Sequence, residues 1–462
     1  MFFGRKKELE VLENLYKTNK FQMPVIYGRR RIGKTALIKE FVKNKEVIFY
    51  TAIEKSKMQN IDSFGKAVME VIDKKNSDLN FSNFNQVLER VFEYSIKKRI
   101  ILVIDEYPYL AKSDKSFSSI LQGLIDKYEN KSKLYLILCG SSMSFMEKNV
   151  LSYKSPLYGR RTAQIKLKAF DFFELRNYFN KMNIEDFAKT YATVGGTPKY
   201  FLQFDKELDY ERNLKKNFLN SSSFLFEETN NLLKQEVREE ALYNSVVYAI
   251  AKGSTKISEI STKVGATIPI CNAVIKNLIS LDLIDKISPY GEKTKKKTLY
   301  KLKDNMFKFY YAFVLDNVSN IERDFSDMVY EYIKTNLDNY MGKIFEQICM
   351  SFLWKAKKDN KISFVDIGQW WGTNKTTRKE VEIDIMGKID KDSILVCECK
   401  WSNELVPLSV YESLYEKSKL FHYKNKEYYI FAKKGFTSAL LKKSKDLKNI
   451  HLISYADMFN KK

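Results

Sequence analysis

The sequence predicts a multidomain α/β protein, and three observations lead to this fold class. The chain has 462 residues, which is too many for one ordinary hydrophobic core. Near the N-terminus a glycine-bounded loop joins a short apolar strand to a helix, as in many α/β domains. The pattern changes after about residue 236 to three helices and a hairpin, and after about residue 335 to a helix followed by alternating strands.

The composition is that of a folded protein and excludes several classes. Hydrophobic residues make up 44% of the chain and aromatic residues 14%, and there is no apolar run long enough to span a membrane. The N-terminus "MFFGRKKELE" is charged at once and is not a signal peptide. Two His exclude a His-rich metal site, and five scattered Cys form no disulfide or zinc framework. We therefore expect a cytoplasmic protein without a membrane partner.

The net charge of +22 has two explanations. Many Lys can reflect a general compositional bias. An excess of this size also favours polyanionic partners such as nucleic acid and speeds association with them. Charge alone does not decide between the two, so the motifs must.

A phosphate-binding loop is the first candidate site. The stretch "MPVIYGRRRIGKTALIKEF" contains a strand, a loop that fits G-x-x-x-x-G-K-[ST], and a helix. In such a loop the backbone N–H groups and the helix dipole hold phosphates, the Lys reaches the β/γ oxygens, and the Thr binds Mg²⁺. The residues expected to bind the nucleotide, with Thr35 as a metal ligand, are Gly28, Arg29, Arg30, Arg31, Ile32, Gly33, Lys34, Thr35 and Ala36.

Two acidic residues follow a second apolar strand. In "KKRIILVIDEYPYL" the run from Ile100 to Ile104 leads directly to Asp105 and Glu106. Ligands of parallel α/β sheets bind at the carboxyl ends of the strands, so two solvated acids explain this placement poorly. We expect Asp105 to bind Mg²⁺ and Glu106 to polarise the attacking water. The strand "EVIFYTA" lies between the loop and Asp105, and the expected class is an ASCE-type P-loop ATPase.

The next strand and turn contain further candidates. "KLYLILCGSS" ends in Ser141 and Ser142, which can sense a γ-phosphate, although a helix N-cap role suits Ser142 equally well. Arg160 and Arg161 precede another strand and are candidates for an arginine finger, with a solvated turn as the alternative. An arginine that acts in trans would require a homo-oligomer.

The segments "FFGRKKELEVLENLY" and "VGGTPKYF" complete a pattern with the loop and the two acids. Over about residues 1–230 the chain resembles the archaeal and bacterial P-loop ATPases related to the AAA+ and STAND groups. The resemblance implies ATP as the nucleotide, Arg5 and Glu8 near it, and Gly196 and Pro198 beside the base. We expect an ATPase core at residues 1–170 and a helical lid at residues 171–235.

The middle region, residues 236–315, is predicted to be a winged helix. Three helical segments, beginning with "ALYNSVVYAIAKG", precede a hairpin around "GEKTKKK". Residues 286–303 contain seven Lys and one Glu. Such a wing can contact a DNA backbone, or it can pack on the ATPase as a regulatory element. The expected DNA-binding residues are Lys293, Lys295, Lys296 and Lys297. Residues 316–334 are predicted to be a linker.

The last region, residues 335–462, contains charged residues on an otherwise apolar hairpin. In "KEVEIDIMGKIDKDSILVCECKW", alternation directs Glu382 and Asp384 to one face of the first strand, and Val381, Ile383 and Ile385 to the other. The second strand directs Glu398 and Lys400 to one face and its cysteines to the other. A preceding helix adds Glu346. Carboxylates this close repel each other unless a cation such as Mg²⁺ lies among them.

This spacing resembles the PD-(D/E)xK nuclease superfamily, with a restriction-endonuclease-like α/β domain. The resemblance implies that Asp384 and Glu398 are metal ligands, Lys400 is the catalytic lysine and Glu346 is the helix acid. Ile383 stands where the family usually has proline. A surface Glu–Lys pair is the alternative, but it leaves the apolar neighbours of the two charges unexplained.

Two hypotheses for the whole chain remain. In the first, ATP and Mg²⁺ are cofactors, and the nucleotide state controls DNA binding by the wing and DNA cleavage by the last domain. In the second, the protein is an ATP-dependent signalling or scaffold switch whose last domain binds nucleic acid or protein without cleaving it.

Overall fold

The computed structural model describes residues 2–76, 79–237, 239–292, 297–374 and 377–460. It contains two compact units. The first comprises the chain as far as Ala169 together with Thr197–Lys199, and the second comprises Phe170–Gly196 and the chain from Tyr200 onward. Three of the lysines predicted to bind DNA, Lys293, Lys295 and Lys296, lie outside the described residues.

The first unit contains a five-stranded parallel sheet with the strand order β2-β3-β4-β1-β5. Because β4 separates β1 from β3, the sheet has the strand order expected of an ASCE-type core. Strand β3 is buried along its whole length, as expected for a parallel strand with both faces covered. The strands are β1 (Pro24–Tyr27), β2 (Val47–Thr51), β3 (Ile100–Asp105), β4 (Leu134–Gly140) and β5 (Ala163–Lys166).

Helices cover both faces of this sheet, and alternate residues of β3 enter two different cores. Ile100, Leu102 and Ile104 pack with the residues of α3, α4 and α6, while Ile101 and Val103 pack with those of α1 and α2. The helices are α1 (Lys6–Lys17), α2 (Lys34–Phe41), α3 (Lys57–Ile72), α4 (Phe84–Lys97), α5 (Tyr107–Ser113), α6 (Phe117–Tyr128) and α7 (Met143–Met146).

A run of helices follows β5 in the chain. Three of them begin at a side chain that accepts a hydrogen bond from the first turn, namely Asp171, Asn183 and Asp209. The helices are α8 (Phe172–Arg176), α9 (Ile184–Val194), α10 (Pro198–Phe201), α11 (Tyr210–Asn217) and α12 (Phe224–Glu236).

Three helices and an antiparallel hairpin come next, in the order that the sequence predicts. They are α13 (Glu240–Ala251), α14 (Ile257–Val264), α15 (Ile268–Ser280), β6 (Ile284–Ile287) and β7 (Leu299–Leu302). The short helices α16 (Asn305–Phe309) and α17 (Val318–Glu322) follow.

The predicted linker at residues 316–334 is helical. It contains α17 and the start of α18 (Ser326–Lys358), a helix of 33 residues. Buried residues continue without interruption from Val329 through Ile333 and Leu337 to Met341, so the helix has one apolar side across the expected boundary. Even so, neither α18 nor any other described helix is long and apolar enough to cross a membrane.

The C-terminal sheet has the strand order β12-β11-β10-β9-β8. Strands β8, β9 and β10 are antiparallel, while β10, β11 and β12 are parallel, with α19 and α20 as the connections. One core of this region contains Ile383, Val396, Leu414 and Ile430. The elements are β8 (Asp366–Thr373), β9 (Glu380–Lys388), β10 (Ser393–Lys400), α19 (Leu408–Ser418), β11 (Asn425–Ala432), α20 (Ser438–Asp446) and β12 (Ile450–Ser454).

The Gly196→Ala substitution is expected to destabilise the second unit, because a Cβ at this position would lie 1.8 Å from the carbonyl oxygen of Phe170. The backbone would have to move, at an expected cost of about 2 kcal/mol or more. The matched control is Gly342→Ala in α18, where a Cβ meets no atom within 4 Å. The control should stabilise the protein by about 0.5 kcal/mol. Urea unfolding measures both changes, and equal stability of the two variants would contradict the prediction.

Candidate functional site

The loop between β1 and α2 is shaped by two glycines. A Cβ on Gly28 would lie 2.7 Å from the carbonyl oxygen of Leu167, so this position cannot hold a larger residue without a shift of the backbone. Gly33 has a φ of 87° and is the N-cap of α2, a left-handed conformation that glycine adopts without strain. The loop therefore ends at the N-terminus of α2, where a phosphate is stabilised by the helix dipole.

Lys34 is the first residue of α2, and its side chain contacts the loop. Its side chain is buried, and its Nζ donates hydrogen bonds to the carbonyl oxygens of Gly28 at 2.9 Å and Arg29 at 3.1 Å. A buried ammonium whose partners are neutral carbonyls is available to pair with an anion. This position suits the predicted contact with nucleotide phosphates.

Thr35 and Asp105 come together from α2 and β3. The Thr35 hydroxyl donates to Oδ2 of Asp105 at 2.7 Å, and Asp105 is buried. A hydroxyl and a carboxylate are hard oxygen donors of the kind that Mg²⁺ binds next to phosphates. The two residues predicted as metal ligands in this unit therefore fit the ion.

Glu106 occupies a strained position beside them. Its φ is 52°, in the left-handed region that few residues other than glycine adopt. Its Oε2 accepts hydrogen bonds from the backbone N–H of Ser141 at 3.2 Å and from the Ser141 hydroxyl at 2.7 Å. The structure thus joins the acid at the end of β3 to the serine at the end of β4. Such strain is often found at functional positions.

Two segments that are distant in sequence contact the loop. Arg5 donates to the carbonyl oxygens of Ile32 at 3.3 Å and Lys168 at 2.6 Å. Thr197 accepts a hydrogen bond from Arg29 at 2.5 Å, and Pro198 lies 3.6 Å from the position of a Cβ on Gly33. Arg5 and Pro198 therefore lie beside the loop, and their contact with a nucleotide stays a prediction. Thr197 was not predicted from the sequence.

Three other predicted residues have different surroundings. Gly196 belongs to the second unit, where its carbonyl oxygen accepts a hydrogen bond from Phe170 N–H. Arg160 forms two hydrogen bonds of 2.7 Å with the Asp126 carboxylate, and Arg161 donates to the carbonyl oxygen of Leu151. Within its own chain Arg160 is therefore engaged by an acid on α6, and a role as an arginine finger remains a prediction.

A second candidate site lies in the C-terminal region, where α18, β9 and β10 contribute acids. An irregularity between β8 and β9 pairs Gly368 with Met386 but Trp370 with Ile383, which leaves one extra residue on β9. The predicted alternation is therefore interrupted: Ile383 and Met386 share one core cluster. A bulge of this kind redirects side chains. Oδ2 of Asp384 accepts a hydrogen bond from Cys399 N–H of β10 at 2.8 Å.

Three carboxylates meet at this place. Oxygen atoms of Glu346, Glu382 and Asp384 all lie within 4.8 Å of one another. Lys343 pairs with Glu346 at 2.9 Å and with Glu382 at 3.3 Å. The oxygen donors fit a hard divalent cation. The sequence analysis assigned Glu346 and Asp384 to this site. It placed Glu382 on the same face of β9 as Asp384 but did not recognise it as a potential ligand.

Glu398 is buried between two lysines. Its Oε1 accepts from Lys400 at 2.7 Å, and its Oε2 accepts from Lys417 of α19 at 3.0 Å. Glu398 continues the face of β10 that contains Ile394 and Val396, so it lies toward the core shared with α19. The pair of Glu398 and Lys400 is thus on one face as predicted, and Lys417 is an additional member.

Burial and nearby charges shift the pKa of three groups in this site. Burial, followed by the nearby charges of Glu398 and Glu346, raises the pKa of Asp384 to about 7. Burial also raises the pKa of Glu346, and the charge of Glu382 acts in the same direction. Burial disfavours the charged form of Lys400, but its hydrogen bond to Glu398 and the negative charges of Glu398 and Asp384 together outweigh burial and raise the pKa of Lys400. The site therefore favours cations over additional negative charge.

Three described lysines of the β6–β7 hairpin have partners of their own. Lys297 lies 3.5 Å from Glu292, and Lys303 pairs with Asp282 at 2.7 Å. Lys301 donates to Oε1 of Gln369, a residue of β8, at 3.1 Å. Of the four lysines predicted to bind DNA, Lys297 is the one that the structure describes, and its side chain is exposed.

Asp384→Asn is expected to stabilise the metal-free protein more at pH 8 than at pH 5. Because the pKa of Asp384 rises from 3.8 to about 7 on folding, the folded state binds more protons than the unfolded chain between these values. The free energy of unfolding of the wild-type protein therefore falls as the pH rises through this window. The asparagine has no such dependence, and the difference should be on the order of 2 kcal/mol. Urea unfolding in EDTA at the two pH values measures it, and a constant difference would show that Asp384 has an ordinary pKa.

Comparisons with known proteins agree with the first site. A family model described as an ATPase domain predominantly from Archaea matches residues 2–204. A second model, described as archaeal and bacterial proteins of unknown function, matches residues 310–416, which include Glu346, Asp384, Glu398 and Lys400. In the solved Walker-type ATPase paby2304 of Pyrococcus abyssi, the similar part covers 67% of this chain and 96% of that one, with a TM-score of 0.50 and 19% identity. This likeness concerns the fold alone.

Two proteins of Methanocaldococcus jannaschii are similar in sequence. The ATP-binding protein MJ0423 is 53% identical over 47 residues, which cover 10% of this chain and 80% of that protein. Protein MJECL04 is 35% identical over 426 residues, covering 91% of this chain and 92% of its own length. The ATPase match, the strand order and the loop geometry support ATP as the bound nucleotide. Together with a relative that is similar over nearly its whole length, they show that the chain belongs to an archaeal family of P-loop ATPases.

Proposed function

We propose that this ATPase couples its nucleotide state to DNA binding and to metal-dependent cleavage of phosphodiester bonds. The observation that carries the proposal is that Glu346 of α18 meets Glu382 and Asp384 of β9, with the pair of Glu398 and Lys400 close to Asp384. The helix before the sheet, the antiparallel strands β8–β10 and the parallel strands reached through α19 and α20 follow the order of a restriction-endonuclease-like domain.

The roles in ATP hydrolysis follow from the first site. Lys34 pairs with the phosphates, and Thr35 and Asp105 hold the Mg²⁺ ion, which neutralises charge on the transferring phosphoryl group. Glu106 orients and polarises the attacking water. The Glu106 carboxylate accepts a hydrogen bond from the Ser141 hydroxyl. We therefore infer that Ser141 positions Glu106 as the general base.

DNA binding is assigned to the winged helix formed by α13, α14, α15 and the β6–β7 hairpin. Asn272 and Lys276 are exposed on α15, the helix that enters a groove in such domains. Lys297 is exposed on the hairpin. The contacts expected from these side chains are with phosphates more than with bases, so binding should depend on salt more than on sequence.

In the proposed cleavage, Asp384, Glu346 and Glu382 hold the cation, with Glu398 beside them. The cation supplies Lewis-acid polarisation of the scissile phosphate. The Lys400 ammonium stabilises the negative charge that develops on phosphorus during attack by water. Lys417 pairs with the other oxygen of Glu398, so the glutamate remains neutralised when Lys400 turns to the substrate.

The chain path supports coupling between the nucleotide and the C-terminal region. Thr197 and Pro198, which contact the phosphate loop, follow directly after α9 and the two glycines 195 and 196. Near the end of α9 the carbonyl oxygen of Ala192 accepts a hydrogen bond from the Tyr340 hydroxyl at 2.9 Å. Tyr340 belongs to α18, the helix that contains Glu346. A shift of the segment at residues 197–199 would therefore reach this helix.

One observation favours the second hypothesis, a switch that binds without cleaving. Both carboxylate oxygens of Glu398 are hydrogen-bonded to lysines, and a fully paired buried glutamate can be structural. In that case the C-terminal region would bind nucleic acid or protein, and the acids would stabilise the fold.

Glu106→Gln should abolish ATP turnover but keep ATP affinity, because the amide cannot accept the proton of the attacking water. A loss of about 100-fold or more in kcat is expected. The control is Glu129→Gln, which changes an exposed acid outside the site. Phosphate release and nucleotide binding are measured on the same preparations. Unchanged turnover in Glu106→Gln would remove its role as the base.

Lys400→Met should abolish Mn²⁺- or Mg²⁺-dependent cleavage of DNA, because the developing charge loses its ammonium. A decrease of about 100-fold is expected. The matched control is Lys419→Met, since Lys419 is an exposed lysine of the same region that pairs with Glu416. Cleavage is measured on supercoiled plasmid, linear duplex and single strands, with and without ATP.

Two results would contradict the cleavage proposal. If Lys400→Met and wild type cut equally, the activity does not arise from this site. If wild type binds DNA but cuts none of the substrates with either metal, the switch hypothesis is favoured.

A further inference from the structure

Gln369 of β8 connects the acidic site to the hairpin of the winged helix. Its Nε2 donates a hydrogen bond of 2.6 Å to Oε2 of Glu346, and its Oε1 accepts one of 3.1 Å from Nζ of Lys301. We propose that Gln369 is a positioning residue that fixes the Glu346 carboxylate for cation binding, and that the hairpin holds Gln369 in place through Lys301. This inference rests on the proposed metal-dependent function of the site.

The chemistry of the two partners allows one orientation of the amide. An ammonium can only donate, so Lys301 must meet the amide oxygen. An ionised carboxylate can only accept, so Glu346 must meet the amide nitrogen. A rotation of the amide by 180° would place oxygen against oxygen and nitrogen against nitrogen. The orientation of Gln369 is therefore determined by both contacts at once.

The hairpin is attached to the same strand by further contacts. Tyr290 N–H donates to the carbonyl oxygen of Gln369 at 2.7 Å, and the Tyr290 hydroxyl accepts from Lys388 N–H of β9 at 3.0 Å. The Tyr290 ring also lies 3.3 Å from the position of a Cβ on Gly368. The hairpin thus contacts both the backbone and the side chain of Gln369, next to the irregularity of β8 and β9.

Glu346 needs this support because of its neighbours. Its side chain is buried, and it faces the carboxylates of Glu382 and Asp384. Its other oxygen pairs with Lys343, whose side chain is largely exposed. Without the amide of Gln369, repulsion would turn the Glu346 carboxylate away from the other two acids. A cation would then lose a preoriented oxygen ligand.

Four variants of the full chain test this inference: Gln369→Met, Lys301→Met, the double variant, and Lys286→Met as the control. Gln369→Met keeps the length of the side chain and removes both hydrogen bonds. Lys286 is an exposed lysine on the other strand of the hairpin. Its substitution removes one positive charge, as Lys301→Met does, but keeps the hydrogen bond between Lys301 and Gln369. The measurement is Mn²⁺ binding by calorimetry without nucleotide, and the relevant signal is the part that Asp384→Asn removes.

Gln369→Met should weaken this Mn²⁺ binding about tenfold, as loss of a residue that orients a metal ligand commonly does. Lys301→Met should weaken it in the same direction but by less, and the double variant should equal Gln369→Met. Lys286→Met should bind Mn²⁺ like wild type. The Mn²⁺ concentration for half-maximal cleavage should shift in parallel, which a general loss of stability would not produce.

The outcomes separate the inference from the proposed function. If wild type shows the Asp384-dependent signal and Gln369→Met binds as tightly or more tightly, the inference is wrong and the cleavage proposal stands. A shift in Lys286→Met equal to that in Lys301→Met would likewise show that only charge matters. If wild type lacks the signal altogether, the metal site and the proposed cleavage fail, and the inference fails with them. Should Gln369→Met not fold, Lys301→Met tests the inference instead, because it substitutes no residue of the C-terminal region.

Discussion

The repulsion among closely placed carboxylates is the constraint on which the C-terminal region depends. Glu346, Glu382, Asp384 and Glu398 come from a helix and two strands. Glu346 and Glu398 are buried, which makes an uncompensated charge on either of them expensive. The protein meets this cost with lysines: Lys343 pairs with two of the acids, and Lys400 and Lys417 pair with a third. Asp384 has no such partner among the described residues and accepts a backbone N–H instead. The position with the least compensation is therefore at the centre of the group, where a divalent cation would relieve the most repulsion.

The acids of the first unit, Asp105 and Glu106, have partners of a different kind. Asp105 and Glu106 are consecutive at the end of β3, and each is held by a hydroxyl rather than by an ammonium, namely Thr35 and Ser141. A hydroxyl preserves the negative charge of the acid, so both can act on a cation or a water molecule. Lys34 likewise donates to the neutral carbonyl oxygens of Gly28 and Arg29. These partners of Lys34 and of the two acids are neutral, in contrast to the paired charges around Glu398.

The local sequence was sufficient to predict the elements whose functional residues are close together in the chain. The phosphate loop, the acids after β3 and the hairpin of β9 and β10 each depend on neighbours in the chain, and the structure has these elements where the pattern predicted them. The partners that complete the second site could not be found in this way. Gln369, Lys343 and Lys417 lie on three different elements, and their contacts exist only after the sheet has formed. The extra residue of β9 also breaks the alternation from which the faces of Ile383 and Ile385 were inferred. Ion pairs such as that of Arg160 with Asp126 are equally invisible to sequence spacing.

The long helix α18 changes the view of how the regions are connected. Residues 316–334 were predicted to be a linker. Buried residues nevertheless recur along the helix from Val329 into the segment that contains Glu346. A flexible linker would let the acidic site move independently of the preceding helices. A continuous helix does not, because a displacement at one turn is carried to the next by the backbone hydrogen bonds. The Tyr340 hydroxyl of α18 donates hydrogen bonds to the carbonyl oxygens of Ala192 in α9 and Asn305 in α16. Glu346 follows on the same helix and meets Gln369, so the orientation of its carboxylate depends on contacts at both α9 and the hairpin.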